Sequence, residues 1–167
     1  PAKAALGFAL FHDPRLSVDN TVSCATCHAL ETAGVDNRQY SHGVDDQVGG
    51  VNAPTVYNAV YNFVQFWDGR AKTLADQAAG PPLNPIEMAS ESFEQIITKL
   101  EADKSFAQAF KAVYPDGLTQ ANITDAIEEF EMTLITPNSR FDKWLRGDDA
   151  AITADELAGY ELFKKYD

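Results

Sequence analysis

Apolar residues recur along this chain at helical rather than strand spacing. Phe93, Ile96, Ile97 and Leu100 fall at i, i+3, i+4 and i+7, which aligns one stripe of a helix with a core; Ser90 or Ser92 is placed to cap it. Phe106, Phe110 and Val113 repeat the spacing. Ile123, Ile127, Phe130 and Leu134 mark what the pattern predicts as the longest helix, started by Thr119 or Asn122 and stopped before Pro137. Ala4 to Phe11 reads as a short apolar helix ended by His12-Asp13-Pro14, because Pro14 disfavours helical geometry at Asp13. Thr153 followed by Glu156 is a capping box that opens a last helix with Leu157, Tyr160 and Phe163 as its apolar stripe and Glu161 facing water.

Between these segments, Leu30 to Pro54 holds Gly34, Gly43, Gly49 and Gly50 among polar residues and shows no helical period, so it is loop. A loop of that length in a compact domain carries function or wraps a ligand. No strand pattern runs longer than Pro54 to Val60, and there is no internal repeat. The expected class is all-α, and Thr136-Pro137-Asn138 breaks the chain into residues 1–136 and a short remainder, 137–167.

With 167 residues, 45% hydrophobic and 11% aromatic, the chain can bury a core of its own. A formal net charge of −12 argues against nucleic acid and against anionic membrane surfaces, which reward clustered Lys and Arg. No stretch approaches the roughly 18 apolar residues that span a bilayer, and the first ten residues lack a signal-peptide pattern.

The two cysteines change the picture most. Cys24-Ala25-Thr26-Cys27-His28 is the attachment signature of a c-type haem: both thiols add to porphyrin vinyl groups and the adjacent His is delivered to one axial position of the iron. A chance match in a chain of this size is about one in a thousand. A thioredoxin-like redox pair would need a βαβ context that an all-α pattern lacks, and a zinc site would usually need a second ligand pair. Ser23 either caps a short helix holding the motif or is simply solvated. Haem c attachment occurs outside the bacterial cytoplasm, so the expected compartment is periplasmic.

The surrounding residues carry a wider likeness. Leu6-Gly7 with Leu10-Phe11, Asp13-Pro14-Arg15-Leu16-Ser17, the haem motif, Asn52-Ala53-Pro54-Thr55-Val56 and Gln65-Phe66-Trp67-Asp68-Gly69-Arg70-Ala71 come in that order. They are followed by Gln77, Gly80-Pro81, Asn84-Pro85-Ile86-Glu87-Met88 and, more weakly, Leu134-Ile135-Thr136-Pro137 and Phe141-Asp142. Together these resemble the bacterial dihaem cytochrome c peroxidases, which include the MauG-like enzymes, and specifically their peroxidatic N-terminal haem domain. The resemblance implies a c-type cytochrome-like helical domain with long haem-wrapping loops that reduces hydrogen peroxide to water. Electrons would come from a small donor protein such as a cytochrome c or a cupredoxin.

It also implies roles. Glu87 resembles the distal acid–base residue and Gln77 its hydrogen-bonding companion; the bland alternative for both is polar residues at helix ends. Trp67 stands where the family passes electrons between two haems, and it also reads as a core aromatic clustered with Phe63 and Phe66. Arg70 is a propionate partner or a surface ion pair, and Asn52 resembles a side-chain ligand for calcium. A homodimer is among the assemblies the likeness allows.

Two departures stand out. Many family members carry a gating His in a Ser-x-Gly-His context; here the stretch is Ser41-His42-Gly43-Val44, with Val44 in the usual place. Either His42 reaches the iron by a different loop path, or another residue such as Met88 does, or the site stays open; His12 is structural. The family's second Cys-x-x-Cys-His follows a helix resembling Ala154 to Lys165, so 137–167 is expected to be a linker and first helix of a second haem domain, and the chain a fragment with one haem. The competing readings are a monohaem electron-transfer module and a MauG-like enzyme that oxidises a partner protein.

Overall fold

The computed structural model describes residues 1–166, and among these it is helical, with only two isolated β-bridges. It divides into two compact units, Pro1–Leu134 and a second beginning at Ile135. Six helices belong to the first: α1 (Ala2–Phe11), α2 (Cys24–Cys27), α3 (Leu74–Ala78), α4 (Phe93–Ala102), α5 (Lys104–Val113) and α6 (Gln120–Glu131).

Side-chain caps set the helix starts. Ser92 accepts from the Gln95 amide at 3.3 Å to open α4, while Ser90 is buried and its hydroxyl donates to the Leu16 carbonyl at 2.8 Å. Asp103 caps α5, and Thr119 accepts from the Asn122 amide at 3.1 Å to open α6. Helix α6 ends at Glu131 rather than at Leu134. Thr133 and Leu134 continue as turns, and the Leu134 carbonyl then accepts from the Asn58 amide at 2.7 Å, which fastens the loop 52–62 to the end of this helix.

Helices α1 and α6 cross at the centre of the unit, and α3 packs on α6. The core is built from Leu6, Leu10, Leu16, Phe93, Ile96, Leu100, Phe110, Ile123 and Ile127, all buried. A second cluster of Phe11, Phe130, Val56 and Leu134 packs against Cys24 and Ala25, so the motif helix α2 is seated on the α1–α6 pair. His12 belongs to this structure: its Nδ1 lies 2.9 Å from the Phe8 carbonyl and its ring packs on Phe8, Phe11 and Phe130.

The crossing depends on Gly7. A Cβ there would sit 1.8 Å from the Ala126 carbonyl oxygen and 2.7 Å from Phe130 Cβ, so only hydrogen fits. Gly7→Val is expected to force the helices apart and cost on the order of 3 kcal/mol or more. Denaturant unfolding checks this: the midpoint should fall at an unchanged m-value.

In the second unit, α7 (Arg140–Leu145) and α8 (Ala154–Tyr166) each open on a capping box, Ser139/Asp142 and Thr153/Glu156. Phe141, Trp144 and Tyr160 form its aromatic cluster, and Arg140 pairs with Glu156. Two details differ from the sequence pattern. Helix α8 has 13 residues against 12 for α6, so the longest described helix is the last one. Only Tyr160 of its apolar stripe joins the aromatic cluster, and Phe163 points to solvent. No helix among the described residues is long and apolar enough to cross a membrane.

Candidate functional site

Helix α2 presents the two thiols one turn apart. The Ser23 amide donates to Thr26 Oγ1 at 3.0 Å, closing the N-terminus, and the His28 amide donates to the Cys24 carbonyl at 2.9 Å before His28 turns out of the helix. Both thiols are free. Burial, with Glu131 nearby, pushes Cys24 up to about 12; burial and Asp36 push Cys27 up as well, so both stay protonated and uncharged.

Two loops hold the His28 ring. Its Nδ1 lies 3.2 Å from the Gly34 carbonyl and 3.1 Å from the Pro54 carbonyl, so this nitrogen carries the hydrogen and Nε2 keeps its lone pair. That arrangement orients an axial imidazole ligand. Burial also lowers the His28 pKa, which favours the neutral ring that can coordinate. Gly34 makes the approach: at φ +74° it takes a left-handed conformation, and a Cβ there would lie 2.9 Å from Val56 Cγ2.

Cys24, Cys27 and His28 open onto a cavity of about 320 Å³ whose walls also carry Val22, Val56, Leu74, Met88 and Ile127. The expected site residues His42, Asn52, Trp67, Arg70, Gln77 and Glu87 all line it. Two buried side-chain oxygens without a hydrogen-bond partner among the described residues, Ser41 Oγ and Glu131 Oε2, line it too. An unpaired buried polar atom costs about 1–3 kcal/mol, so two on one cavity wall fit a bound group that carries polar atoms of its own. Two protonated thiols, an oriented imidazole and a largely apolar wall are the donor set and lining that a haem c requires.

Glu87 follows a turn in which its amide donates to the Asn84 carbonyl at 3.0 Å, and its Oε1 accepts from Asn84 Nδ2 at 2.7 Å. The hydrogen bond the structure gives this carboxylate comes from Asn84, three residues upstream in the same turn, while Gln77 reaches the same cavity from α3. Burial raises the Glu87 pKa, opposed by the Asn84 hydrogen bond and the Arg70 charge.

The loop of His42 is fastened to the backbone of Ile86 and Glu87. Val44 is buried and its amide donates to the Glu87 carbonyl at 2.8 Å. A Cβ on Gly43 would lie 2.3 Å from the Ile86 carbonyl oxygen and 2.4 Å from that of Glu87, so this contact requires glycine. Gly43→Ala is expected to lift the loop off Glu87 and cost on the order of 1–3 kcal/mol in thermal unfolding. His42 pairs through Nδ1 with Asp46 and bridges to Val48.

Residues 65–71 form a turn closed by the Gln65 amide donating to the Ala71 carbonyl at 2.8 Å, with Phe66 at φ +65° and Gly69 at φ +71°. Within this turn Trp67 is 64% exposed, and Phe63 just before it is 93% exposed, so the reading of Trp67 as a core aromatic does not hold. Trp67 Nε1 donates to the Asn52 carbonyl at 3.0 Å. The Arg70 guanidinium stacks 3.5 Å from the Phe66 ring centroid and donates to Asp68 at 2.8 Å. Around Asn52 there is no carboxylate set: no group of three or more His, Cys, Asp or Glu able to hold a metal ion occurs among the described residues.

Sequence reasoning missed Glu131. Its signal was there, since four residues after Ile127 it sits on the buried stripe of α6. Burial, aided by Glu128, raises its pKa to about 8 from 4.5. Between these values the folded chain holds a proton that the unfolded chain releases, so stability should fall as pH rises across about pH 4.5 to 8. Glu131→Gln is expected to remove most of that fall, which denaturant titrations at several pH values measure.

Residues 1–150 match the sequence profile of the family described as di-haem cytochrome c peroxidase. The chain is 65% identical to the cytochrome c peroxidase Ccp of Escherichia coli, over 97% of this chain and 35% of that protein. It is 51% identical to the cytochrome c551 peroxidase of Nitrosomonas europaea, over 96% of this chain and 48% of that protein. Among solved structures, a MauG-like protein associated with microbial copper homeostasis matches with a TM-score of 0.88 at 31% identity, over 98% of this chain and 49% of that one. The chain thus spans half or less of the length of these relatives. The haem motif on α2 and a sequence match from Pro1 through Ala150 lead to one conclusion: this chain belongs to the di-haem cytochrome c peroxidase family.

Proposed function

We propose that this chain forms the peroxidatic haem domain of a periplasmic peroxidase, which reduces hydrogen peroxide to water with electrons from a small redox protein. On this reading residues 1–136 hold one haem c, and 137–167 lead towards a second haem domain. The observation that carries it is the half-buried Glu87 carboxyl, oriented by Asn84 on the wall of the cavity into which Cys24, Cys27 and His28 open.

A haem bound there supplies a redox-active iron with one coordination position for peroxide. The protein supplies the rest. Cys24 and Cys27 would hold the group covalently through thioethers, and His28, with Nδ1 tied to Gly34 and Pro54, would be its imidazole ligand. Glu87 takes the proton from the inner peroxide oxygen and gives it to the outer one, so that the oxygen–oxygen bond breaks with water as leaving group. Asn84 holds the Glu87 carboxyl in register, and the Arg70 charge opposes the rise that burial gives its pKa. Gln77 adds a polar group on the same wall, and the exposed Trp67 is the entry point for electrons.

On this reading the His42 loop would not supply a standing ligand to a bound haem. Asp46, Gln47 and Glu87 all hold the His42 loop, so reaching further into the cavity would break several of its hydrogen bonds. The ferric haem is therefore expected to be high-spin and unchanged in His42→Ala. A low-spin spectrum that turns high-spin in the variant would instead make His42 the resting ligand. The test of function is steady-state: protein carrying both haem domains, given a reduced cytochrome c or cupredoxin, should oxidise two donors per peroxide consumed. Absence of peroxide-dependent donor oxidation would overturn the reading.

A further inference from the structure

Peroxide reduction consumes two protons and two electrons for every two waters formed. Glu87 returns to one peroxide oxygen the proton it takes from the other, so it contributes no net proton. Both consumed protons must enter the cavity by another route.

Glu131 occupies the right place for one of them. It closes α6 with its side chain 5% exposed on the cavity wall, and its Oε2 has no hydrogen-bond partner among the described residues. A carboxyl in that position is unexplained by packing, since an apolar residue would fill the stripe below Ile127 at lower cost. Among the described residues no ionisable group is paired with it: of the others lining the cavity, Arg70 is engaged with Asp68, His42 with Asp46, and His28 with the Gly34 and Pro54 carbonyls. On its own helix Glu128 is a like charge, and on α2 Cys24 is a protonated thiol consumed by haem attachment. On α1, Lys3 is engaged with Asp125 and Glu129, and His12, just beyond that helix, with the Phe8 carbonyl. On α3, Asp76 is engaged with Thr73. Glu87 lines the same cavity with Asn84 as its partner.

Resting on the haem reading above, we infer that Glu131 is a second proton-carrying group of this cavity, which binds a proton when the haem iron is reduced and gives it up as peroxide is reduced. The balance is simple. One electron from the donor protein converts ferric to ferrous iron, and one proton from solvent converts the Glu131 carboxylate to the carboxylic acid. When the electron passes to peroxide, that proton leaves with it to the product water. The coupling is electrostatic, because an electron added to a cavity of low polarity raises the proton affinity of an unpaired carboxylate on its wall. In the haem-free cavity Glu131 keeps its proton up to about pH 8; the positive charge of ferric iron would release that proton, and the added electron would bring it back.

The test is a spectroelectrochemical titration of the haem-loaded protein across pH 5 to 10. The midpoint potential should fall with rising pH, approaching one proton per electron over part of the range. Glu131→Gln should remove that dependence, and the conservative Glu131→Asp should restore part of it. A second measurement needs only the parent protein: the reduced-minus-oxidised infrared difference spectrum should show a carboxylic acid band appearing on reduction. A pH-independent potential, an unchanged dependence in Glu131→Gln, or no carboxyl band would each overturn the inference. Absence of covalent haem in the parent protein would instead overturn the reading it rests on, and haem content is read separately from the absorption spectrum.

Discussion

Glu87→Gln is expected to slow the reaction of the haem-loaded protein with hydrogen peroxide by about 10²- to 10⁴-fold, the range by which a positioned general acid–base group accelerates proton transfer. Glutamine keeps the shape of the side chain and can still meet Asn84 Nδ2, which bonds Glu87 Oε1 at 2.7 Å. It cannot accept and return a proton. Covalent haem content, the ferric spectrum and thermal stability should therefore match the parent protein, while the second-order rate constant for peroxide falls. Asn84→Ala should fall between the two, because it leaves the carboxylate in place but free to rotate. If Glu87→Gln reacts at the parental rate, proton transfer by Glu87 is wrong even though the haem assignment stands.

The second large effect concerns attachment. Replacing both Cys24 and Cys27 with alanine removes the two thiols that α2 presents to the cavity, and covalent haem should disappear completely from the protein on a denaturing gel. His28 keeps its Gly34 and Pro54 contacts in such a variant, so weak, dissociable haem binding is the expected remainder. Stability should fall as well, since a bound group favours the folded state by mass action and its loss removes that contribution. Haem that remains covalently attached in the double variant would place the linkage elsewhere.

The local parts of this molecule were readable from residue spacing. Helices α4, α5 and α6 followed their apolar periods, and Cys24, Cys27 and His28 are adjacent in sequence because the chemistry needs them so. What was not legible depends on chain closure over long separations. Trp67 looks like a core aromatic in sequence, but the pairing of Gln65 with Ala71 folds its segment into a turn that leaves it exposed. Gln77 resembles the companion of Glu87, while the hydrogen bond the structure gives that carboxylate comes from Asn84 in the same turn. Glu131 was passed over because a Glu near a helix end usually faces water, and only the cavity beside α6 shows that this one does not. The role of Gly43 was likewise hidden until the loop met Ile86 and Glu87.

These cases share a cause. A helical stripe or a haem motif is set by neighbours within a few residues, whereas a site wall is assembled from segments such as 41–44, 65–70, 84–88 and 127–131 that meet only after folding. The sequence names the chemistry of such a wall, and the fold decides which atoms face it.

One measurement tests the account most directly. Haem-loaded protein is reduced fully, freed of reductant and mixed with less than stoichiometric hydrogen peroxide in a stopped-flow spectrometer, and oxidation of the haem is followed in time. Haem oxidation at a rate proportional to peroxide concentration, with two reducing equivalents lost per peroxide, is the predicted result. A haem that stays reduced in the presence of peroxide, as a pure electron carrier would, contradicts the account.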